Sequence, residues 1–286
     1  MTLHAVLPIP PWRLSLAVLS LAVLLAIARR FRLGIERTAI VSSARGSAQL
    51  IAVGYFLGAL LTVRRFELVL VTFLVMLGMA ARTGMGRLPR PLPGIAWLAG
   101  ASLAAGTSLG VVFMAAVVVR PSPWYDPQYV IPFAGMLLGN AMNGSSLAGE
   151  RFQDDLAARR SEVEARLALG LSGPESVHPL LARALRASMI PTFNSFAVAG
   201  VVQLPGMMTG QILSGVDPMV AVEYQILIFF LLMTSTAVST LLFLLLIRSR
   251  YFTPAHQLRS FLLQDGGSDA STKQKRRGHR GSTTSR

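Results

Sequence analysis

The stretch Ile190–Ile226, IPTFNSFAVAGVVQLPGMMTGQILSGVDPMVAVEYQI, decides how this chain is read. It is long and apolar enough to enter a membrane, yet Asn194, Ser195, Gln203, Pro205, Thr209 and Gln211 interrupt it. Hydrocarbon satisfies neither a side-chain amide nor a freed backbone carbonyl, so such residues must face protein or a wet cavity. Polar groups at membrane depth point by default to a transport path, for which a simple anchor has no use.

The rest of the chain agrees. Of 286 residues, 52% are hydrophobic and 14% charged, against about 25% charged in ordinary soluble domains. Mean hydropathy is +0.54. These values imply an all-α, polytopic integral membrane protein. The absence of cysteine excludes disulfides, thiolate metal sites and thiol redox centres. Near the start, Arg13 is followed by the apolar Leu14–Ala28 and then by Arg29, Arg30 and Arg32, with no small-residue cleavage site, so a retained first helix is expected.

A spanning helix needs roughly 20 mainly apolar residues. Seven segments answer to that: Trp12–Ala28, Ser47–Val63, Leu68–Ala81, Ile95–Val119, Tyr129–Gly149, Thr192–Ser214 and Val220–Ile247. Arg64–Glu67 reads as a tight hairpin, Gly215–Pro218 as a second connection, and Ile35–Ser43 as an interfacial helix. The segments 29–46, 82–94, 150–191 and the tail after Ile247 carry five, three, six and nine basic residues. Only Arg13, Arg64, Arg65 and Arg120 fall on the other side. The positive-inside rule then places the N-terminus outside and the C-terminus in the cytoplasm. This topology accounts for the net charge of +14 without nucleic acid as a partner. We expect one membrane domain over residues 1–265 and a disordered, basic cytoplasmic tail over 266–286, where Ser, Thr, Gly, Lys and Arg cannot build a core.

The one sizeable cytoplasmic loop is 150–191. Glu150, Asp154, Asp155, Glu162 and Glu164 interleave with Arg151, Arg159, Arg160 and Arg166, a pattern that favours pairing along an exposed helix. Leu156, Val163, Leu167 and Leu171 give it an apolar face, and Gly173-Pro174 breaks it before a second short helix. Two readings stand: a docking surface for a partner protein, or a connecting helix on the membrane surface.

Several chemistries are excluded. The only lysines are Lys273 and Lys275, so no glycine-rich loop ending in Lys can hold nucleotide phosphates. The four histidines, His4, His178, His256 and His279, lie outside the expected spans, and no H-E-x-x-H motif occurs. Gly144-Ser145-Ser146 lacks the base that an intramembrane serine protease needs. Two polar clusters remain. Asn140 and Asn143 share one helix face, either as interhelical hydrogen-bond formers or as a cavity wall. In Gln203–Gln211, Pro205 removes a helix hydrogen bond and Gly206 adds freedom, so carbonyls near Val201 and Gln203 are expected to be open to a cation or water. Met207 and Met208 are thioethers suited to soft metals or plain apolar filling. Glu223 is the lone carboxylate inside the expected spans, a candidate cation ligand or proton carrier.

Taken in order, Arg45-x-x-x-Gln49-Leu50 with Gly54, Pro132-x-x-Gly135-Met136-x-x-Gly139-Asn140-x-Met142-Asn143, Ile190-Pro191-Thr192, Leu204–Gly210 and Pro218-x-x-Ala221-x-x-Tyr224-Gln225-Ile226 resemble the FetB-type family of ABC-transporter permeases. That family is associated with iron export in bacteria, and its plant relatives are implicated in aluminium tolerance. The resemblance covers about Ile35 to Ile247. The chain departs from it at Asn194 and Ala197, where the family often carries an acidic and a basic residue. The resemblance implies a transport subunit of the cell membrane that binds no cofactor itself and is not an enzyme. It also implies a separate cytoplasmic ABC ATPase that uses the ATP, two permease copies, and loop 150–191 as the docking surface, with Glu150, Arg151, Asp154, Asp155 and Arg159 in the coupling role. The substrate path would run past Asn140, Asn143, Asn194, Gln203, Pro205–Thr209, Gln211 and Glu223. Rival expectations are a secondary transporter driven by an ion gradient and a membrane scaffold or sensor.

Overall fold

The computed structural model describes residues 10–16, 18–90 and 92–263. The expected tail 266–286 lies outside the described residues. The described chain is helical, as the composition required: α1 (Pro11–Leu16), α2 (Val18–Arg30), α3 (Glu36–Val63), α4 (Phe66–Met85), α5 (Ile95–Phe113), α6 (Pro127–Ala158), α7 (Arg160–Ala168), α8 (Gly173–Ala197), α9 (Gly206–Leu213) and α10 (Pro218–Arg248). Among the described residues, four helices are long and apolar enough to cross a membrane on their own: Glu36–Val63, Phe66–Met85, Ile95–Val118 and Pro218–Tyr251. The third includes a π-helical turn, Met114–Val118, that continues α5.

Local chemistry sets the boundaries. Asp126 caps α6 by accepting the Gln128 N–H at 3.0 Å, with Pro127 at the first helical position. Ser172 and Glu175 form a reciprocal capping box at the start of α8. Asp217 Oδ1 accepts the Met219 N–H at 2.8 Å and opens α10. Arg64 ends α3 in a left-handed conformation, its N–H reaching Leu60 O at 3.2 Å, and α4 starts at Phe66, so the helix breaks within the connection expected at Arg64–Glu67.

Three sequence expectations need correction. Ile35–Ser43 is no separate interfacial helix, because Glu36–Val63 runs unbroken. Thr192–Ser214 is not one span. α8 carries through Pro179 and Pro191, stops at Ala197, and the chain turns before α9 starts at Gly206. Pro191 removes one backbone hydrogen bond, and α8 continues past it to Ala197. The turn around Gly200 follows its φ of +83°, a conformation only glycine adopts freely. Finally, the Gln203 carbonyl is not open, since it accepts the Gly200 N–H at 2.9 Å.

The helices fall into two compact units. The first comprises the described residues of 10–68 and 205–224. Its α3 presents Leu50, Ile51 and Tyr55 outward, Tyr55 at 82% exposure. In a membrane protein such a face meets lipid, because hydrocarbon does not repel it.

The second unit comprises the described residues of 69–204 and 225–263. Its core runs from Ala99, Leu103 and Leu138 to a dense polar-end cluster of Met85, Leu88, Phe152, Leu156, Val163, Val177, Leu180, Phe243, Ile247, Tyr251 and Leu263. At about 1.5 Å per residue the 32-residue α6 is about 48 Å long, well beyond a hydrocarbon core of about 30 Å. Its last turns therefore project as a scaffold on which α7 and α8 fold. The apolar face foreseen over 150–171 turns inward here: Leu156 and Val163 are fully buried.

Candidate functional site

Within the second unit, α6 packs most extensively on α8. Along α6, Asn140, Asn143, Gly144 and Leu147 recur at helical spacing. Along α8, Ser188, Pro191, Thr192 and Ser195 do the same. Together they line a cleft of about 150 Å³. Asn140 Nδ2 donates to Met136 O at 3.0 Å, which leaves its carbonyl oxygen to the cleft. Ser188 is buried and its hydroxyl donates to Leu185 O at 2.8 Å. Pro191 has no N–H, so the Ala187 carbonyl lacks its usual α-helical donor. The lining offers amide and hydroxyl oxygens and no carboxylate. Such neutral oxygens can replace water around a hard cation without holding it tightly, which suits passage better than storage.

A second polar group lies deeper. Gly106 of α5 abuts α10: a Cβ there would meet Ser239 Oγ, with Ser235 O at 2.7 Å and Ser239 N at 2.9 Å. Gly144 of α6 does the same against Thr236 Cγ2 at 2.6 Å. Around these contacts Thr107, Ser145, Ser235, Thr236, Ser239 and Thr240 are all buried. The hydroxyls of Thr107, Ser235, Thr236 and Ser239 find no hydrogen-bond partner among the described residues, an uncommon state for buried polar groups. Their small size lets the backbones meet, and their oxygens make this interior polar.

The structure thus brings Asn140 and Asn143 together with Ser195. It does not add Asn194, which is exposed outside the cleft and whose carbonyl accepts the Val198 N–H at 3.2 Å. Gln203 sits exposed in the turn after α8. In the first unit, Pro205 precedes α9 and caps it in extended conformation. Gly206, Met207, Met208, Thr209 and Gln211 form that helix, and the Thr209 hydroxyl donates back to Pro205 O at 3.0 Å. Glu223 is exposed on α10. Among the described residues no three His, Asp or Glu side chains gather as a metal-holding cluster. Sequence reading missed Ser188 and the hydroxyl row of α10, although Thr234-Ser235-Thr236 and Ser239-Thr240 stand out in an otherwise aliphatic span.

At the polar end, Asp154 pairs with Arg90 at 3.2 Å and Asp155 with Arg183 at 3.2 Å. Arg159 and Arg166 both reach Glu162, and Arg160 reaches Glu164. Glu150 and Arg151 are exposed. Gln153, fully buried, accepts the Arg90 N–H at 3.1 Å and donates to Arg90 O at 2.8 Å. Arg90 Nε donates to Leu263 O at 3.2 Å. Segments 82–94, 150–191 and the residues after α10 are therefore joined at one end of this unit, as the charge pattern required. Nearby, Ser172 donates from both its hydroxyl (2.6 Å) and its amide (2.8 Å) to Glu175, and these bonds hold that carboxyl below the ordinary carboxylate value.

Helix-only architecture, lipid-facing apolar surface and a neutral polar cleft between helices define an integral membrane protein of the polytopic α-helical class. The chain belongs to the uncharacterised protein family UPF0014, whose model matches residues 11–252. It is 40% identical over 211 residues to a UPF0014 membrane protein of Synechocystis, covering 73% of this chain and 81% of that one. It is 32% identical over 246 residues to the protein ALUMINUM SENSITIVE 3 of Arabidopsis thaliana (86% and 88% covered). It is 30% identical over 248 residues to the probable iron export permease protein FetB of Escherichia coli (86% and 93% covered). No solved structure matches.

Proposed function

We propose that this chain is the membrane-spanning permease subunit of an ABC exporter of iron or another metal ion, acting as a homodimer in a bacterial plasma membrane. A separate cytoplasmic ATPase supplies the energy. The observation that carries the reading is the likeness, along almost the whole relative, to a protein named as a probable iron export permease. Two features support it: a cleft of neutral oxygens and a sequence without a phosphate-holding Gly-Lys loop. In this reading residues 1–265 form the permease domain. The exposed Glu150, Arg151 and Arg159, beside the paired Asp154 and Asp155, meet the ATPase. Nucleotide-driven motion at that end changes access to the cleft, and the Pro205-Gly206 interruption acts as a hinge.

The test is mild extraction of the tagged chain from its native membrane, followed by metal efflux measurements in liposomes. A stoichiometric soluble ATPase and ATP-dependent efflux are expected, with efflux reduced in Asn140→Leu/Asn143→Leu. Transport by the purified chain alone, collapsing with the proton gradient, would overturn the proposal in favour of a secondary carrier.

A further inference from the structure

We propose that the cleft where α10 leaves the membrane is a binding site for the phosphate of an anionic phospholipid. The apolar run of α10 ends at Ile247. The chain then turns through a 3₁₀ helix (Ser249–Tyr251) and folds back, closed by Arg259 N–H to Tyr251 O at 2.8 Å and Thr253 N–H to Gln257 O at 2.9 Å. This turn and the start of α8 enclose a cleft of about 530 Å³, within the roughly 300–1,000 Å³ usual for small-molecule sites.

Arg248, Arg250, Arg259 and His256 line the cleft, beside the apolar Leu245 and Phe252. No carboxylate of the described residues lines it. Among the described residues no ion pair engages any of the three arginines, in contrast to Arg90, Arg160, Arg166 and Arg183. Glu175, the carboxylate nearest in sequence to the α8 wall, is committed to Ser172. His256 Nδ1 accepts the Gly173 N–H at 3.3 Å, which leaves its Nε2–H as a further donor.

Three guanidinium groups gathered with no ion-pair partner among the described residues match phosphate, which they bind through paired N–H donors. Depth selects the source. The cleft begins at the last turn of a membrane-length apolar helix, the level of lipid headgroups, and Leu245 and Phe252 offer a wall to the first carbons of an acyl chain. Basic pockets at this level of membrane proteins take anionic headgroups. A freely soluble phosphate would have no use for the apolar wall.

Fluorescent phosphatidylglycerol and phosphatidylcholine, titrated onto the purified full chain in neutral detergent, test this. Wild-type protein is expected to prefer phosphatidylglycerol. A basic residue near an anionic lipid contributes about a factor of five, so Arg248→Gln/Arg259→Gln should cut the preference about 25-fold. Arg250→Gln should cut it about fivefold, and being exposed it tests the site without disturbing packing. Arg160→Gln, outside the cleft, should change nothing. Equal binding of the two lipids, an equal loss in Arg160→Gln, or full displacement of the lipid by excess inorganic phosphate would overturn the proposal.

Discussion

Replacing Gly106 by alanine adds one methyl group at the tightest helix contact in the second unit. The nearest obstacle, Ser239 Oγ, can swing away. The next two, Ser235 O at 2.7 Å and Ser239 N at 2.9 Å, are backbone and cannot. Ordinary contact begins at 3.4 Å, so α5 and α10 must part by about 0.7 Å. A gap of that size forfeits about a quarter of each contact's attraction. A leucine-sized set of contacts is worth roughly 8 kcal/mol in total, so the loss is about 2 kcal/mol. Alanine returns about 1 kcal/mol through its helix propensity, and the net destabilisation is about 1 kcal/mol. Gly106→Val, with two further methyl groups, should cost about 3 kcal/mol. The control is Gly100→Ala on the same helix, where the new methyl meets only Ala81 Cβ at 3.7 Å and the propensity gain of about 1 kcal/mol should stand alone. Unfolding midpoints of the three variants in one detergent decide the matter. The opposite signs of Gly106→Ala and Gly100→Ala are the result to look for. If the two behave alike, α5 and α10 do not meet at Gly106 and the account of the hydroxyl-lined interior is wrong.

Other outcomes follow from the polar end. Gln153→Leu keeps the volume but strands both the N–H and the carbonyl of Arg90, at a cost of about 2–4 kcal/mol in denaturant titrations; an unchanged midpoint would refute the pairing. Ser172→Ala removes the cap of α8 and should cost about 1 kcal/mol, seen as faster amide exchange at Glu175 and Ser176. The capping box should also depend on pH. Because the Glu175 carboxyl titrates below its ordinary 4.5, its contribution is complete above that value and is lost as pH falls through the lower folded value; exchange at Ser176 that stays constant through this window would contradict it. For the proposed hinge, Pro205→Ala should lower metal efflux while leaving expression intact, and wild-type efflux in that variant would remove the hinge.

Charge and hydropathy carried most of the fold. An aliphatic run of membrane length between arginines leaves one physical option, and the helix breaks at Arg64 and Gly215 were legible as residues that interrupt helices, whereas the turn at Gly200 was read as part of a continuous span. Hydropathy misplaced two helix boundaries. Pro191 reads as a boundary, yet α8 runs through it to Ala197. Ile35–Ser43 reads as a separate interfacial helix, yet no proline divides it from the apolar Ser47–Val63, and α3 runs through both. The site was half visible. Asn140 and Asn143 announce themselves as amides in an apolar span. Their partners Ser188 and Thr192 sit in a stretch whose register only the α6–α8 contact reveals. The pairing of Asp154 with Arg90 and of Asp155 with Arg183 joins residues far apart in the chain, which local pattern cannot foresee.

The bend between α7 and α8 has a practical consequence. Leu169 is 80% exposed, and Gly170, at φ +90°, has open space around it. A chain cut there keeps α6 and α8 joined along their buried faces, and Val163 stays bound to the cluster that holds Val177 and Leu180. Residues 1–169 and 170–286 are therefore natural halves for co-expression as two complementing fragments. The same point is a place to insert a reporter domain without disturbing the cleft.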